Sequence, residues 1–216
     1  MMTTLYSFFN SSASYRVRIA LALKGVEYSY QGVNIRHHKG EEYQSFKKRI
    51  NKAGLVPSLK NDEITLSQSL AIIDYLDQKY PLPRLIPQDS LLRAKVLEFS
   101  YAISCDIHPL NNLKVLRYLL HEMEVSHQKK DAWYAHWIEE GFYTLERLLD
   151  KADSQAWCFA NTPTLADCCL IPQVANALRM KCNISQFKRI QAIYDNAMTH
   201  EAFQQAKSEN QPDYQP

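Results

Sequence analysis

The chain has 216 residues, 46% hydrophobic and 22% charged, which is apolar enough to bury one large core or two small ones and excludes intrinsic disorder. A formal charge of +2 excludes a dedicated nucleic-acid binder, whose affinity rests on many Lys/Arg–phosphate contacts. With 5 glycines and 9 prolines, the chain is also poor in the residues of turn-rich all-β folds.

The first eighty residues alternate between strand-like and helix-like patterns. Leu5-Tyr6-Ser7-Phe8-Phe9 is short, aromatic and apolar, and reads as a strand. Ser11 and Ser12 supply N-cap chemistry, Ala13, Val17, Ala20, Leu21 and Lys24 recur at helical spacing, and Gly25 stands where that helix would stop. Residues 27–33 alternate, with Tyr28 and Tyr30 on one side, completing a β-α-β unit whose strands should be parallel. A polar helix over 41–50 follows. Then come two short strands, Val56-Pro57-Ser58-Leu59 and Ile64-Thr65-Leu66, around the turn residues Asn61-Asp62. Leu70, Ile73, Tyr75 and Leu76 mark an amphipathic helix ending near Tyr80-Pro81. Three prolines within 81–87 break regular structure and read as a linker over 82–89.

Beyond the linker the pattern is helical throughout, with helices predicted over 90–107, 110–124, 129–151, 164–179 and 186–198. Pro109 either separates the first two or kinks one longer helix. Thr164-x-x-Asp167 reads as a capping box with Asp in the Glu/Gln role. The polar tail, 208–216, is expected to fray. The fold class is therefore a βαβαββα half over 1–81 joined to an all-helical half over 90–216. No apolar run is long enough for a bilayer, and the N-terminal residues lack the basic start and apolar stretch of a signal peptide. The five cysteines, Cys105, Cys158, Cys168, Cys169 and Cys182, have no Cys-x-x-Cys and no zinc spacing. They predict free, mostly buried thiols of a cytoplasmic protein, and no metal site.

Chemistry concentrates where strands hand over to helices. Ser11-Ser12-Ala13-Ser14 open the first helix and Gln68-Ser69 open the third, and a helix start offers unpaired N–H groups and about half a positive charge to an anion. Each feature also has an ordinary reading as a cap. Their coincidence in a βαβαββα half followed by an all-helical half favours a small-anion site.

The stretch 6–25, centred on Ser11-Ser12-Ala13-Ser14-Tyr15-Arg16-Val17-Arg18-Ile19-Ala20-Leu21, closely resembles the N-terminal signature of zeta-class glutathione transferases, the class that includes maleylacetoacetate isomerase. Leu55-Val56-Pro57-Ser58-Leu59, Gln68-Ser69-Leu70-Ala71-Ile72-Ile73-Asp74-Tyr75-Leu76 and Pro83-Arg84-Leu85-Ile86-Pro87-Gln88-Asp89 are similar to it too. So are Ile107-His108-Pro109-Leu110-Asn111-Asn112-Leu113 and Ala166-Asp167-Cys168-Cys169-Leu170-Ile171-Pro172-Gln173-Val174-Ala175-Asn176-Ala177 in the helical half. The resemblance implies a thioredoxin-like glutathione-binding domain, an all-helical substrate domain and a cytoplasmic homodimer. It implies that Val56 pairs with the cysteinyl part of glutathione, which requires Pro57 to be cis, and that Gln68 and Ser69 hold the γ-glutamyl carboxylate. Arg16 and Glu42 are implied as further glutathione contacts, although Glu42 stands where the family often has Gln. Ser11, Ser12 and Ser14 would surround the thiol, with Ser11 the favoured donor. The family's Ser-Ser-Cys motif reads Ser11-Ser12-Ala13 here, so the serines and the helix field alone would set the thiol pKa.

The implied activity is addition of the thiolate to the cis double bond of maleylacetoacetate, rotation, and elimination to fumarylacetoacetate, a step of tyrosine and phenylalanine catabolism. A dianionic substrate calls for cationic or N–H donors. The resemblance offers His108, Asn112, Leu113, Lys114 and Arg179 as substrate contacts, with His108 replacing the Gln of many members. Each cation also has a structural reading: His108 as a polar residue beside Pro109, Lys114 as a solvated charge, Arg179 as a helix-end charge. Maleylpyruvate isomerisation, transfer to α-haloacids and a non-enzymatic binding role are the competing functions.

Overall fold

A computed structural model describes residues 3–37, 39–152 and 156–215. Strand β1 (Thr4–Ser7) runs parallel to β2 (Ser29–Gly32) and antiparallel to β3 (Ser58–Lys60), which pairs antiparallel with β4 (Thr65–Ser67), giving the order β2-β1-β3-β4. Helix α1 (Ser12–Leu23) is the crossover between the parallel pair, α2 (Glu41–Arg49) precedes β3, and α3 (Ser69–Lys79) follows β4. Leu5 and Leu59 lie opposite each other in register and are fully buried, as are Ile19, Leu21, Ile72 and Ile73 of the packed helices α1 and α3. This is the thioredoxin-like arrangement expected of the first half. The predicted first strand is shorter than its apolar pattern: Phe8 and Phe9 leave the sheet and join Val33, Phe46 and Val56 in a second buried cluster.

The chain forms two compact units. The first runs to Leu85 and takes back the segment from Met198 onward; the second spans Ile86–Ala197. The return corrects the expectation that everything after the linker belongs to the helical half and that the tail frays. A further helix, α9 (Glu201–Gln205), packs on α1, and a 3₁₀ turn, Ser208–Asn210, follows it. Phe203 accepts a hydrogen bond from the Tyr15 hydroxyl at 3.3 Å, and Ala206 accepts one from Arg18 Nε at 3.0 Å. Buried donors require acceptors, and this returning segment supplies them from its main chain while burying Phe203 and Ala206.

Lys24, just beyond the end of α1, closes the other side of this unit. Its ammonium has no exposed surface and donates to Asp77 Oδ1 at 2.8 Å, Tyr80 O at 2.7 Å and Pro83 O at 2.8 Å. The same Asp77 oxygen accepts the Leu85 N–H at 2.7 Å, and Arg84 lies 3.7 Å from Asp77 Oδ2. The proline-rich segment read as a linker is thus pinned at Pro83, Arg84 and Leu85, with Leu82–Pro83 cis.

In the second unit, α4 (Ser90–Tyr101) continues into π-helical turns over Ala102–Ile107, followed by α5 (Leu113–His121), α6 (His127–Asp150), α7 (Leu165–Arg179) and α8 (Lys188–Ala197). The helix predicted over 110–124 is shorter because Asn112 caps it, its side chain accepting from Lys114 N at 2.9 Å. Gly141 of α6 admits the wide π turn, since a Cβ there would meet Ile107 Cδ1 at 2.4 Å. The capping box at α7 is present. Buried Asp167 accepts from Thr164 N and Oγ1 and from Cys158 N at 2.8–3.0 Å. None of the five cysteines forms a disulfide among the described residues: Cys158, Cys168 and Cys169 are buried, Cys182 is half-buried, and Cys105 is exposed rather than buried. Among the described residues no helix is long and apolar enough to cross a membrane.

Candidate functional site

The first helix start is built by a tight turn. Ser11 N–H closes onto Phe8 O at 2.9 Å, and Ser11 then leaves the turn in extended geometry as the N-cap of α1. Its Oγ accepts the Ser14 N–H at 3.2 Å, which leaves the hydroxyl proton available to an acceptor outside the helix. The three serines are not equivalent. Ser11 is half-buried and Ser12 is buried, while Ser14 has 0% exposure and its Oγ has no hydrogen-bond partner among the described residues. Ser14 thus presents no surface in this turn, unlike Ser11. Ala13, where a cysteine is usual in the family signature, is half-buried between them.

The second helix start is strained. Gln68 precedes α3 with φ 75° and ψ 115°, outside the territory of L-residues with side chains, and its exposed side chain makes no capping bond. A conformation of this kind costs about 1–3 kcal/mol and persists where surroundings or function require it. Ser69, next in the chain, is buried, and its Oγ accepts from Arg16 Nη1 at 3.3 Å. Arg16 is only 2% exposed, so it backs Ser69 rather than presenting its own surface. One buried guanidinium therefore ties the start of α3 to α1. Neither helix has an acidic residue in its first turn, so both positive ends are left unneutralised by the chain.

Between these starts lies the loop before β3. The Val56–Pro57 peptide is cis, and the Val56 side chain packs into the Phe8–Phe9 cluster. Asn51 Nδ2 holds Leu55 O at 2.8 Å, and Ser58 and Ser67 share a hydroxyl bond at 2.9 Å across β3 and β4. The main-chain N–H and C=O of Val56 have no partner among the described residues. Glu42 sits exposed in the first turn of α2, the helix whose Tyr43 and Phe46 pack around Val56. A peptide edge with free donor and acceptor, beside two acid-free helix starts, suits a short anionic peptide such as glutathione.

In the second unit, His108 ends the π turns, its N–H bonded to Ile103 O at 2.9 Å, and its Nε2 lies 3.3 Å from Asn112 Nδ2. Asn112 and Leu113 are half-buried and Lys114 is exposed. Arg179, the last residue of α7, is also exposed and donates to Asn176 Oδ1 at 3.3 Å. Tyr134 of α6 lies near both segments. Its carbonyl accepts from Asn111 Nδ2 at 3.1 Å, and its phenol, pushed up to about 12 by burial, is partly offset by the Arg179 charge. The sequence offered no signal for Tyr134 beyond its place in a helical pattern.

Residues 1–78 match the glutathione S-transferase N-terminal domain. The chain is 42% identical to a probable maleylacetoacetate isomerase of Vibrio cholerae, across 99% of both chains. It superposes with a TM-score of 0.91 and 39% identity on the holo structure of a maleylpyruvate isomerase, a bacterial zeta-class glutathione S-transferase, covering 98% of this chain and 100% of that one. The chain belongs to the zeta-class glutathione transferases. A further structure, a maleylacetoacetate isomerase of Anaeromyxobacter dehalogenans with dicarboxyethyl glutathione and citrate in its active site, is 30% identical with a TM-score of 0.87 over 100% of this chain and 94% of that one. In this zeta-class transferase, sequence reasoning also missed Asp213, whose carboxylate accepts the Phe9 N–H from 204 positions away. No local pattern announces a contact of that span.

Proposed function

We propose that this transferase is a glutathione-dependent cis–trans isomerase that converts maleylacetoacetate to fumarylacetoacetate, as a cytoplasmic homodimer in tyrosine and phenylalanine catabolism. The observation that carries the reading is the pair of acid-free helix starts, one capped by half-buried Ser11 and the other by strained Gln68 with Arg16-backed Ser69. The isomerase relatives, one with a glutathione adduct bound, support it.

In this reading Gln68, Ser69 and the first N–H groups of α3 hold the γ-glutamyl carboxylate, while the Val56 main chain pairs with the cysteinyl residue. Arg16 keeps the Ser69 hydroxyl in place. Glu42 carries acceptors only and suits the amino or amide hydrogens of the tripeptide. Bound glutathione supplies a thiolate nucleophile that saturates the cis double bond for rotation and then departs. Ser11 would donate a hydrogen bond to the sulfur, keeping its own proton, and with the field of α1 would favour the ionised form. Arg179 and His108 supply positive charge or donors for the carboxylates of the substrate, Lys114 adds to the positive field, and Asn112 and Leu113 contribute a polar and an apolar wall.

Retention on immobilised glutathione, followed by absorbance assays with maleylacetoacetate and maleylpyruvate side by side, tests the function. Ser69→Ala and Gln68→Ala should each weaken glutathione binding by about 1–3 kcal/mol in calorimetry. Unchanged affinity in both rejects the site. Faster turnover of maleylpyruvate selects the second reading. Retention without turnover of either, or of α-haloacids, leaves a binding protein.

The role of Arg179 separates cleanly in kinetics. A planar bidentate cation is the best replacement for the hydration a carboxylate loses on binding. Arg179→Ala should raise KM for maleylacetoacetate about tenfold or more while glutathione affinity stays normal. Arg179→Lys should recover only part, since an ammonium keeps the charge without the fork. A wild-type KM in Arg179→Ala reduces the residue to a helix-end charge.

A further inference from the structure

Two charged side chains that the proposed reaction does not use hydrogen-bond the main chain of the turn that carries Ser11, and a third, Arg36, lies over the Phe8 and Phe9 rings at 5.4 and 5.5 Å. On one side, the carbonyls of Phe8 and Phe9 accept from Arg18 Nη1 at 3.3 Å and Nη2 at 3.1 Å. The Arg18 guanidinium, 1% exposed, also reaches Ser7 Oγ at 3.1 Å and Ala206 O at 3.0 Å. On the other side, the Phe9 N–H donates to Asp213 Oδ2 at 3.1 Å. Phe9 is buried and lies past the end of β1, so the sheet offers this donor no acceptor, and a buried N–H requires one.

The Asp213 carboxylate is itself held in orientation. Its Oδ1 accepts the hydroxyl of Tyr30, on β2, at 2.5 Å. Gly32 leaves it room, since a Cβ at that position would stand 3.0 Å from Asp213 Cβ. The neighbouring Tyr214 meets the Phe9 ring edge-on at 5.4 Å. The charged and titratable groups facing Asp213 are Tyr30, kept protonated by burial and by this bond, and Arg18 at longer range.

We propose that Asp213 is a positioning residue for the reaction: by holding the Phe9 N–H it fixes the turn 8–11 and hence the direction of the Ser11 hydroxyl. This rests on the reading of Ser11 as the thiol donor. A charge-assisted bond to the main chain is about twice as strong as a neutral one. Losing it leaves a buried donor unpaired two residues from Ser11, and the turn shifts to satisfy it.

In the full chain, Asp213→Ala should weaken glutathione binding about tenfold by calorimetry. It should also move the ultraviolet thiolate titration of the glutathione complex to higher pH, and speed amide hydrogen exchange at Phe9 and Ser11 in the free protein. Asp213→Asn can keep an oxygen on Phe9 N–H while its amide donates to the Tyr30 oxygen, and should recover most of all three. Gly32→Ala presses a methyl against the Asp213 side chain without changing the chemistry of any polar group and should give a smaller change in the same direction. If Asp213→Ala fails to fold, these two variants carry the test. Wild-type affinity and titration in Asp213→Ala, whatever its melting temperature, overturn the proposal when Ser11→Ala does move the titration; the aspartate then only docks the C-terminal segment. If Ser11→Ala leaves the titration in place, the donor reading fails instead, and unchanged exchange at Phe9 and Ser11 in Asp213→Ala rejects the positioning itself.

Discussion

Replacing Ser11 with alanine should slow isomerisation about 10–100-fold at neutral pH and by much less above pH ~9. A hydroxyl donating to a charged acceptor is worth about 1.5–3 kcal/mol, and each pKa unit corresponds to about 1.36 kcal/mol, so its loss raises the thiol pKa by roughly one to two units. The sign follows from the species stabilised. The donor favours the thiolate, so the bound thiol titrates below its free value and activity rises with pH through that depressed pKa. Without Ser11 the rising limb moves to higher pH, and the two enzymes converge once the thiol is ionised in both. Rates measured against pH, beside the thiolate absorbance of the complex, check this. A titration that moves in Ser12→Ala but not in Ser11→Ala assigns the donor to Ser12. Ala13→Cys should change turnover only modestly, because the nucleophile comes from glutathione.

The largest stability effect is expected at Lys24 and Asp77. Both charges are fully withdrawn from water, and Lys24 spends its three protons on Asp77, Tyr80 and Pro83. Removing one member of such a pair strands the other, which costs about 3–5 kcal/mol. Asp77→Ala also abandons the Leu85 N–H. Urea unfolding of Lys24→Met and Asp77→Ala should show losses of that size. The double variant Lys24→Met/Asp77→Leu should lose less than the sum, because an apolar pair leaves no buried charge unpaired. A loss below about 1 kcal/mol in both single variants would mean that water reaches the pair.

The elements that could be read in advance were those with local physical causes. The β-α-β unit followed from apolar periodicity, the α1 cap from Ser11, and the α7 capping box from Thr164 and Asp167 at the right spacing. The cis Val56–Pro57 peptide came through family resemblance, since both isomers fit the local sequence. Other features had no local cause. Lys24 looked like an ordinary helix-end cation, because its three acceptors come from α3 and the proline segment. The π turns at Ala102–Ile107 depend on Gly141 in another helix. Gln68 adopts a positive φ that its side chain disfavours, so propensity pointed away from it. Ser14 has helix-start chemistry in sequence, yet the turn buries it completely.

The segment from Met198 onward, folded back on the first unit, also sets an order of events during synthesis. Arg18 and Phe9 emerge early from the ribosome, while Ala206 and Asp213, which satisfy them, are made nearly two hundred residues later. Until those later residues appear, the Arg18 Nε–H and the Phe9 amide lack acceptors and the face of α1 under Phe203 stays wet. The helical insertion is complete before then and has its own contacts. The part of the chain translated first is therefore the part whose fold is completed last, and a nascent chain halted short of Ala206 should carry no working glutathione site.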